Sequence, residues 1–127
     1  MKVAQKFLEI ETLIENLLKR QTQGGLLKYK LLSFAEQYEN LSVSMIIEKL
    51  GIKKSNFALL SAQLEREGLL EIKQAEIDRR CRVLRLTQKG KIELENYFSA
   101  LEEEFCQIDP DTEGAIDILN YYLNKRI

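Results

Sequence analysis

Apolar residues recur at helical spacing from the start of the chain. Phe7, Ile10, Leu13, Ile14, Leu17 and Leu18 fall at i, i+3, i+4 and i+7 steps, which predicts an amphipathic helix. Residues 21–25 interrupt it, with Gly24 and Gly25 as the breaker. A second helix is expected over roughly residues 26–38, carrying Leu27, Leu31, Leu32, Phe34 and Ala35, before a turn at Glu39 and Asn40. Ser42 is placed to cap a short third helix, because its hydroxyl can accept from an otherwise unpaired backbone N–H. Val43, Ile46, Ile47 and Leu50 line one face of that helix, and Gly51 suits a left-handed residue at its end. A fourth helix begins near residues 53–55 and runs to Glu67 and Gly68.

Two short helices joined through a glycine-containing turn suggest a helix-turn-helix, although an ordinary helical hairpin fits that stretch equally well. The next residues tip the balance. After Gly68 the apolar period changes to two, so residues 70–73 and 82–86 read as paired strands. Leu84 and Leu86 are expected to face inward, with Val83 and Arg85 outward. The polar stretch 74–81 between them makes a hairpin tip, a wing. Thr87 offers an N-cap for a long helix over about 88–106, striped by Leu94, Tyr97, Phe98, Leu101 and Phe105. Pro110 suits only a loop or a first helical turn, and a last helix carries Ile116, Leu119, Tyr122 and Leu123. With no repeat, low-complexity tract or linker, the expectation is one domain: mostly α with a small β-hairpin wing, a winged helix-turn-helix.

Composition narrows the function. Hydrophobic residues at 45% and charged residues at 31% are ordinary for a globular chain, and no apolar run approaches the roughly 18 residues of a membrane span. The first residues lack the apolar core of a signal peptide, so a cytoplasmic protein with no membrane partner is expected. Histidine is absent, and Cys81 and Cys106 form neither a disulfide framework nor a metal site. No P-loop, GxGxxG turn or nucleophile elbow is present. The chain is therefore read as a non-enzyme without metal or cofactor.

Net charge is −1, but its distribution is uneven. Residues 53–91 hold ten basic and five acidic side chains, a net of +5, while the remainder holds nine basic and fifteen acidic, a net of −6. A basic module inside an acidic body points to a localised polyanion-binding surface. Within it, Phe57, Leu60 and Leu64 share one face of the fourth helix and are assigned to the core. The opposite face then presents Ser55, Leu59, Ala62 and Arg66, flanked by Asn56, Ala58 and Gln63. Asn and Gln can read adenine bidentately and Ser can bond bases or phosphates, while Lys53 and Lys54 suit phosphates at the helix start. A solvated helix face is the plainer alternative. In the wing, Arg79, Arg80, Arg82 and Arg85 fall within seven residues, and arginine favours a narrow minor groove. A solvated charged hairpin is the alternative there. Cys81 beside these cations is either a redox-sensitive thiol or an incidental small residue, and Cys106 is assigned to the core.

The run from residue 41 to residue 90 resembles the MarR family of bacterial regulators. The likeness is carried by Leu50-Gly51-Ile52, then the stretch 64–70, then Asp78-Arg79-Arg80, and Leu86-Thr87-Gln88-Lys89-Gly90. The resemblance implies a winged-helix core over about residues 26–90 of a single domain spanning 1–127. It also implies dimerisation helices over about 1–22 and 88–127, the first of them short for the family. It further implies a homodimer on duplex DNA, probing the major groove with the recognition helix and the minor groove with the wing. Asp78 would pair with a wing arginine, repression would act at a pseudo-palindromic operator, and a small-molecule effector would release DNA. The candidate DNA-binding residues are Lys53, Lys54, Ser55, Asn56, Ala58, Leu59, Ala62 and Gln63 in the recognition helix, with Asp78, Arg79, Arg80 and Arg82 in the wing. Leu59 departs from the family, which often has arginine or another polar residue there. It could contact thymine methyls or cover a partner protein, so an interaction module or anti-repressor of the same fold is the second reading.

Overall fold

Where each element starts and stops follows from a few polar side chains. The computed structural model describes residues 2–22 and 24–126. In order these form α1 (Val3–Lys19), α2 (Leu26–Gln37), α3 (Val43–Leu50), α4 (Lys54–Arg66), β1 (Leu70–Gln74), β2 (Arg82–Leu86), α5 (Gln88–Phe105) and α6 (Pro110–Arg126). Ser42 Oγ accepts the backbone N–H of Met45 at 3.3 Å and starts α3, while Gly51, at φ 66°, ends it in the left-handed region. Asp109 caps α6 by accepting the N–H of Thr112 at 2.7 Å, with Pro110 as the first helical residue.

The hairpin is antiparallel, pairing Leu70 with Leu86, Ile72 with Leu84 and Gln74 with Arg82. Its base is clasped to the helices on either side. Thr87 Oγ1 donates to the carbonyl of Gly68 at 2.6 Å and accepts the N–H of Gly90 at 3.0 Å, capping α5 at the same time. Lys89 Nζ reaches the Glu67 carbonyl at 2.8 Å, and the Thr87 N–H donates to the Leu69 carbonyl at 3.1 Å. Gly90 lies so close to the Leu69 backbone that a Cβ there would run into its carbonyl oxygen. The glycine is a packing requirement.

A single core gathers α2 to α5 and both strands. Leu31, Leu32, Ile46, Leu64, Leu70, Leu84 and Leu94 are fully buried within it. Val83 corrects the expectation of strict alternation. It is buried rather than outward, because Ser42 forms an isolated antiparallel bridge with it, and with Ala75, Ile77 and Cys81 the two line one cleft. The residues of α5 divide in a way the periodicity did not separate. Leu94, Tyr97 and Leu101 pack inside the lobe of their own chain, whereas Phe98 is exposed. Cys106, assigned to the core from sequence, is exposed at the C-terminal cap of α5, where its thiol turns back to the Glu103 carbonyl. Helices α1 and α6 bury no residue.

Candidate nucleic-acid interface

Helix α4 is held by its apolar side and leaves the other side open. Phe57, Ser61 and Leu64 are buried and Leu60 is half-buried, with the Ser61 hydroxyl donating to the Ala58 carbonyl. Ser55, Asn56, Ala58, Leu59, Gln63 and Arg66 are exposed and Ala62 is half-buried. Leu59 stands out among them, 74% exposed in the middle of the helix. Gln63 donates to Glu67 Oε1 at 3.3 Å, so its amide is already engaged along the helix. Lys53, the N-cap, and Lys54 are exposed and form no ion pair among the described residues, where the partial positive charge of the helix start adds to their own.

The wing tip is organised around Asp78. Its two carboxylate oxygens accept from Arg80 Nε at 3.2 Å and from the terminal guanidinium nitrogen at 3.3 Å, a forked pair, and the Arg80 backbone N–H donates to it at 3.0 Å. The Arg80 side chain and then its backbone N–H hold the Asp78 carboxyl below the usual carboxylate range. Arg80 therefore carries a neutralised charge at the tip. Arg79 and Arg82 are exposed and make no ion pair among the described residues, and Arg82 borders with Lys54 a cleft of about 440 Å³ between α3, α4 and the hairpin. Arg85, counted with the wing arginines from sequence, belongs to the wing base. It is half-buried and engages Asn40 Oδ1 at 3.4 Å and Glu39 at 4.0 Å. The Cys81 thiol faces the Asp78 carboxylate at 3.8 Å rather than an arginine. Ile77, which the sequence did not single out, is fully exposed beside them.

A second polar cluster lies where α2 meets α5. Lys28 Nζ, nearly buried, contacts Glu93 Oε1 at 2.8 Å, and the Tyr29 hydroxyl donates to the same oxygen at 3.2 Å. Tyr29 stacks on Tyr97 with ring centroids 4.1 Å apart, and Tyr97 donates to the Leu18 carbonyl at the end of α1. Burial works against the Lys28 charge, but the Glu93 hydrogen bond, with the fields of Tyr29 and Glu93, outweighs it and raises the pKa. The Lys28 hydrogen bond lowers that of Glu93 against the opposing effect of burial. Tyr29, Glu93, Asn96 and Tyr97 line a cleft of about 220 Å³. Sequence reasoning missed this cluster, although Lys28 lies four and seven residues before Leu32 and Ala35 on the buried face of α2.

No family model matches the chain, and no curated protein matches it in sequence. Solved structures do match in three dimensions. CouR from Rhodococcus jostii, bound to p-coumaroyl-CoA, is similar at TM-score 0.78 and 19% identity, over 96% of this chain and 89% of that one. MarR from E. coli in its apo form is similar at 0.74 and 16% identity, over 100% and 98%. This chain has the fold of the MarR-family transcriptional regulators. The transcriptional repressor CouR bound to a 23-mer DNA duplex is similar at 0.76 and 19% identity, over 97% and 92%. The MarR fold thus accounts for the whole length of the chain, terminal helices included. No helix among the described residues is long and apolar enough to cross a membrane.

Proposed function

We propose that this chain is a DNA-binding transcriptional regulator, a repressor acting as a homodimer on a two-fold symmetric operator. One observation carries the reading. Lys53, Lys54, Arg79 and Arg82 are exposed cations without ion-pair partners among the described residues; Lys53 and Lys54 start the recognition helix ahead of an uncharged stretch, and Arg82 shares a cleft with it. Such an arrangement holds a phosphate backbone and leaves base edges to Asn56 and its neighbours. The duplex-bound state of CouR, a protein of the same fold, supports it. Asp78 acts by fixing Arg80, so Arg79 and Arg82 make the stronger phosphate contacts. The dimer uses the apolar faces that α1 and α6 leave open, where Phe7, Ile14, Ile116 and Leu123 are each at least 39% exposed. CouR, a protein of the same fold, binds p-coumaroyl-CoA, and a small-molecule effector of this chain would enter the cleft beside Tyr29, Glu93 and Tyr97.

Selection of bound duplexes from a random pool, followed by titration at several salt concentrations, tests this. A palindromic consensus is expected. Arg79→Ala should flatten the slope of log affinity against log salt by roughly 1.8, for about one phosphate lost per protomer. Asn56→Ala should cost about 1–3 kcal/mol at the selected site and little on scrambled DNA. Absence of any salt-dependent DNA binding would favour the second reading, an interaction module, for which the exposed Leu59 and the acidic remainder of the chain speak.

A further inference from the structure

The exposed face of α4 is apolar and small at its centre. Ser55, Ala58, Leu59 and Ala62 are related by steps of three and four residues, so they form one continuous patch in which Leu59 is the only large side chain. Among the described residues none buries Leu59, which stays 74% exposed and lies outside the core cluster. Lys53 and Lys54 bound the patch at the helix start, and the arginine-bearing wing belongs to the same basic module. Among duplex features reachable by a helix in the major groove, the apolar one is the C5-methyl group of thymine. A protein partner fits less well, since a single leucine among alanines is far smaller than the roughly 800 Å² per partner of a stable interface.

We infer that Leu59, seated between Ala58 and Ala62, reads a thymine methyl in each half-site, making it a specificity-determining residue for A·T pairs in the major groove. The inference rests on the DNA-binding reading above. The small side chains around Leu59 allow the helix to sit close enough for its branched tip to cover the methyl. Lys53 and Lys54 anchor the start of the same helix on phosphate, fixing the register in which the contact is made. Burying one methyl is worth about fourfold in affinity, and two symmetry-related methyls roughly 15-fold.

Deoxyuridine differs from thymidine only by that methyl, so it isolates the contact. In the selected operator each thymine is replaced in turn by uracil, in both half-sites together, and binding is measured for the unmutated protein, Leu59→Ala and Leu59→Met. One symmetric thymine position should weaken the unmutated protein by roughly 15-fold on losing its methyl. The same replacement should leave Leu59→Ala nearly unchanged, while Leu59→Met, with an apolar tip of similar reach, keeps most of the discrimination. Leu59 is solvent-exposed and alanine favours helix, so the variant keeps its fold, which a thermal melt verifies. If the unmutated protein binds its operator with the expected salt slope yet tolerates uracil everywhere, methyl reading by Leu59 is overturned and the regulator reading stands. Equal uracil sensitivity in the unmutated protein and Leu59→Ala assigns the methyl to another residue and overturns the inference as well. Failure to bind any duplex at low salt overturns both.

Discussion

The winged lobe and the terminal helices use similar apolar sequence to opposite ends. In the lobe, Leu31, Leu32, Leu64, Leu84 and Leu94 disappear from solvent within a single chain. In α1 and α6, Phe7, Ile10, Leu13, Ile14, Ile116 and Leu123 stay open, although their stripes look as apolar on paper. The difference is one of partners. Helices α2 to α5 and the hairpin supply faces to each other, whereas among the described residues α1 meets the core only near its C-terminal end, at Leu18, and neither α1 nor α6 buries a residue. Lobe stability is therefore largely an intramolecular property, and under the proposed homodimer the open faces of α1 and α6 would find their cover in the partner.

Mutations can break that contrast, and the largest effect is expected in the lobe. Leu101 lies on the α5 stripe but is buried in its own chain, so Leu101→Asp should cost about 4 kcal/mol and unfold the protein rather than yield a folded monomer. Urea denaturation with circular dichroism measures it. Gly90→Ala should cost roughly 3 kcal/mol, since the added methyl meets backbone and not a yielding side chain.

Glu93→Ala should come next, at about 2 kcal/mol, because it strands the nearly buried Lys28 ammonium. Its pH dependence has a definite sign. The folded Glu93 carboxyl titrates below its unfolded value, so its stabilisation is complete above the ordinary carboxylate range and is lost as pH falls through the lowered value. Lys28 titrates above its unfolded value, so its share is lost only when pH rises through that raised value. Melting temperatures of the unmutated protein and Glu93→Ala should therefore converge toward strong acid. The smallest effect on the lobe is expected from Ile14→Asp and Leu123→Asp. These should change lobe stability by less than about 0.5 kcal/mol while sedimentation shifts from dimer to monomer. A stable dimer in both variants would place the interface elsewhere.

Much of the fold was legible because local rules and tertiary structure agree. Ser42, Gly51, Thr87 and Pro110 punctuate the chain where their chemistry says they should. The switch of period at Gly68 located the hairpin. Long-range relations were not legible. The bridge between Ser42 and Val83 joins residues 41 apart in sequence and buries a strand position that alternation assigned to solvent. Periodicity marked Leu101 as apolar but could not say whether its partner lay in the same chain. In the candidate interface the exposed face of α4 followed from helical geometry. The division of labour among the arginines did not, because Arg85 meets its partners, Glu39 and Asn40, across the lobe.

The clasp of Thr87, Lys89 and Gly90 against residues 67–69 also has a mechanical consequence. Three hydrogen bonds tie the hairpin base to the first turn of α5, so the two are expected to move together as a lever that ends at the wing. A helix of 18 residues is about 27 Å long, so tilting its far end by about 5° sweeps the other end through roughly 2 Å. In the proposed complex, hydrogen bonds to base edges and phosphates would not survive a displacement of that size. A ligand that shifted the distal half of α5 would then be expected to move the wing as well. Softening the clasp, as Thr87→Val would by deleting the hydroxyl that bonds on both sides, should uncouple the two ends.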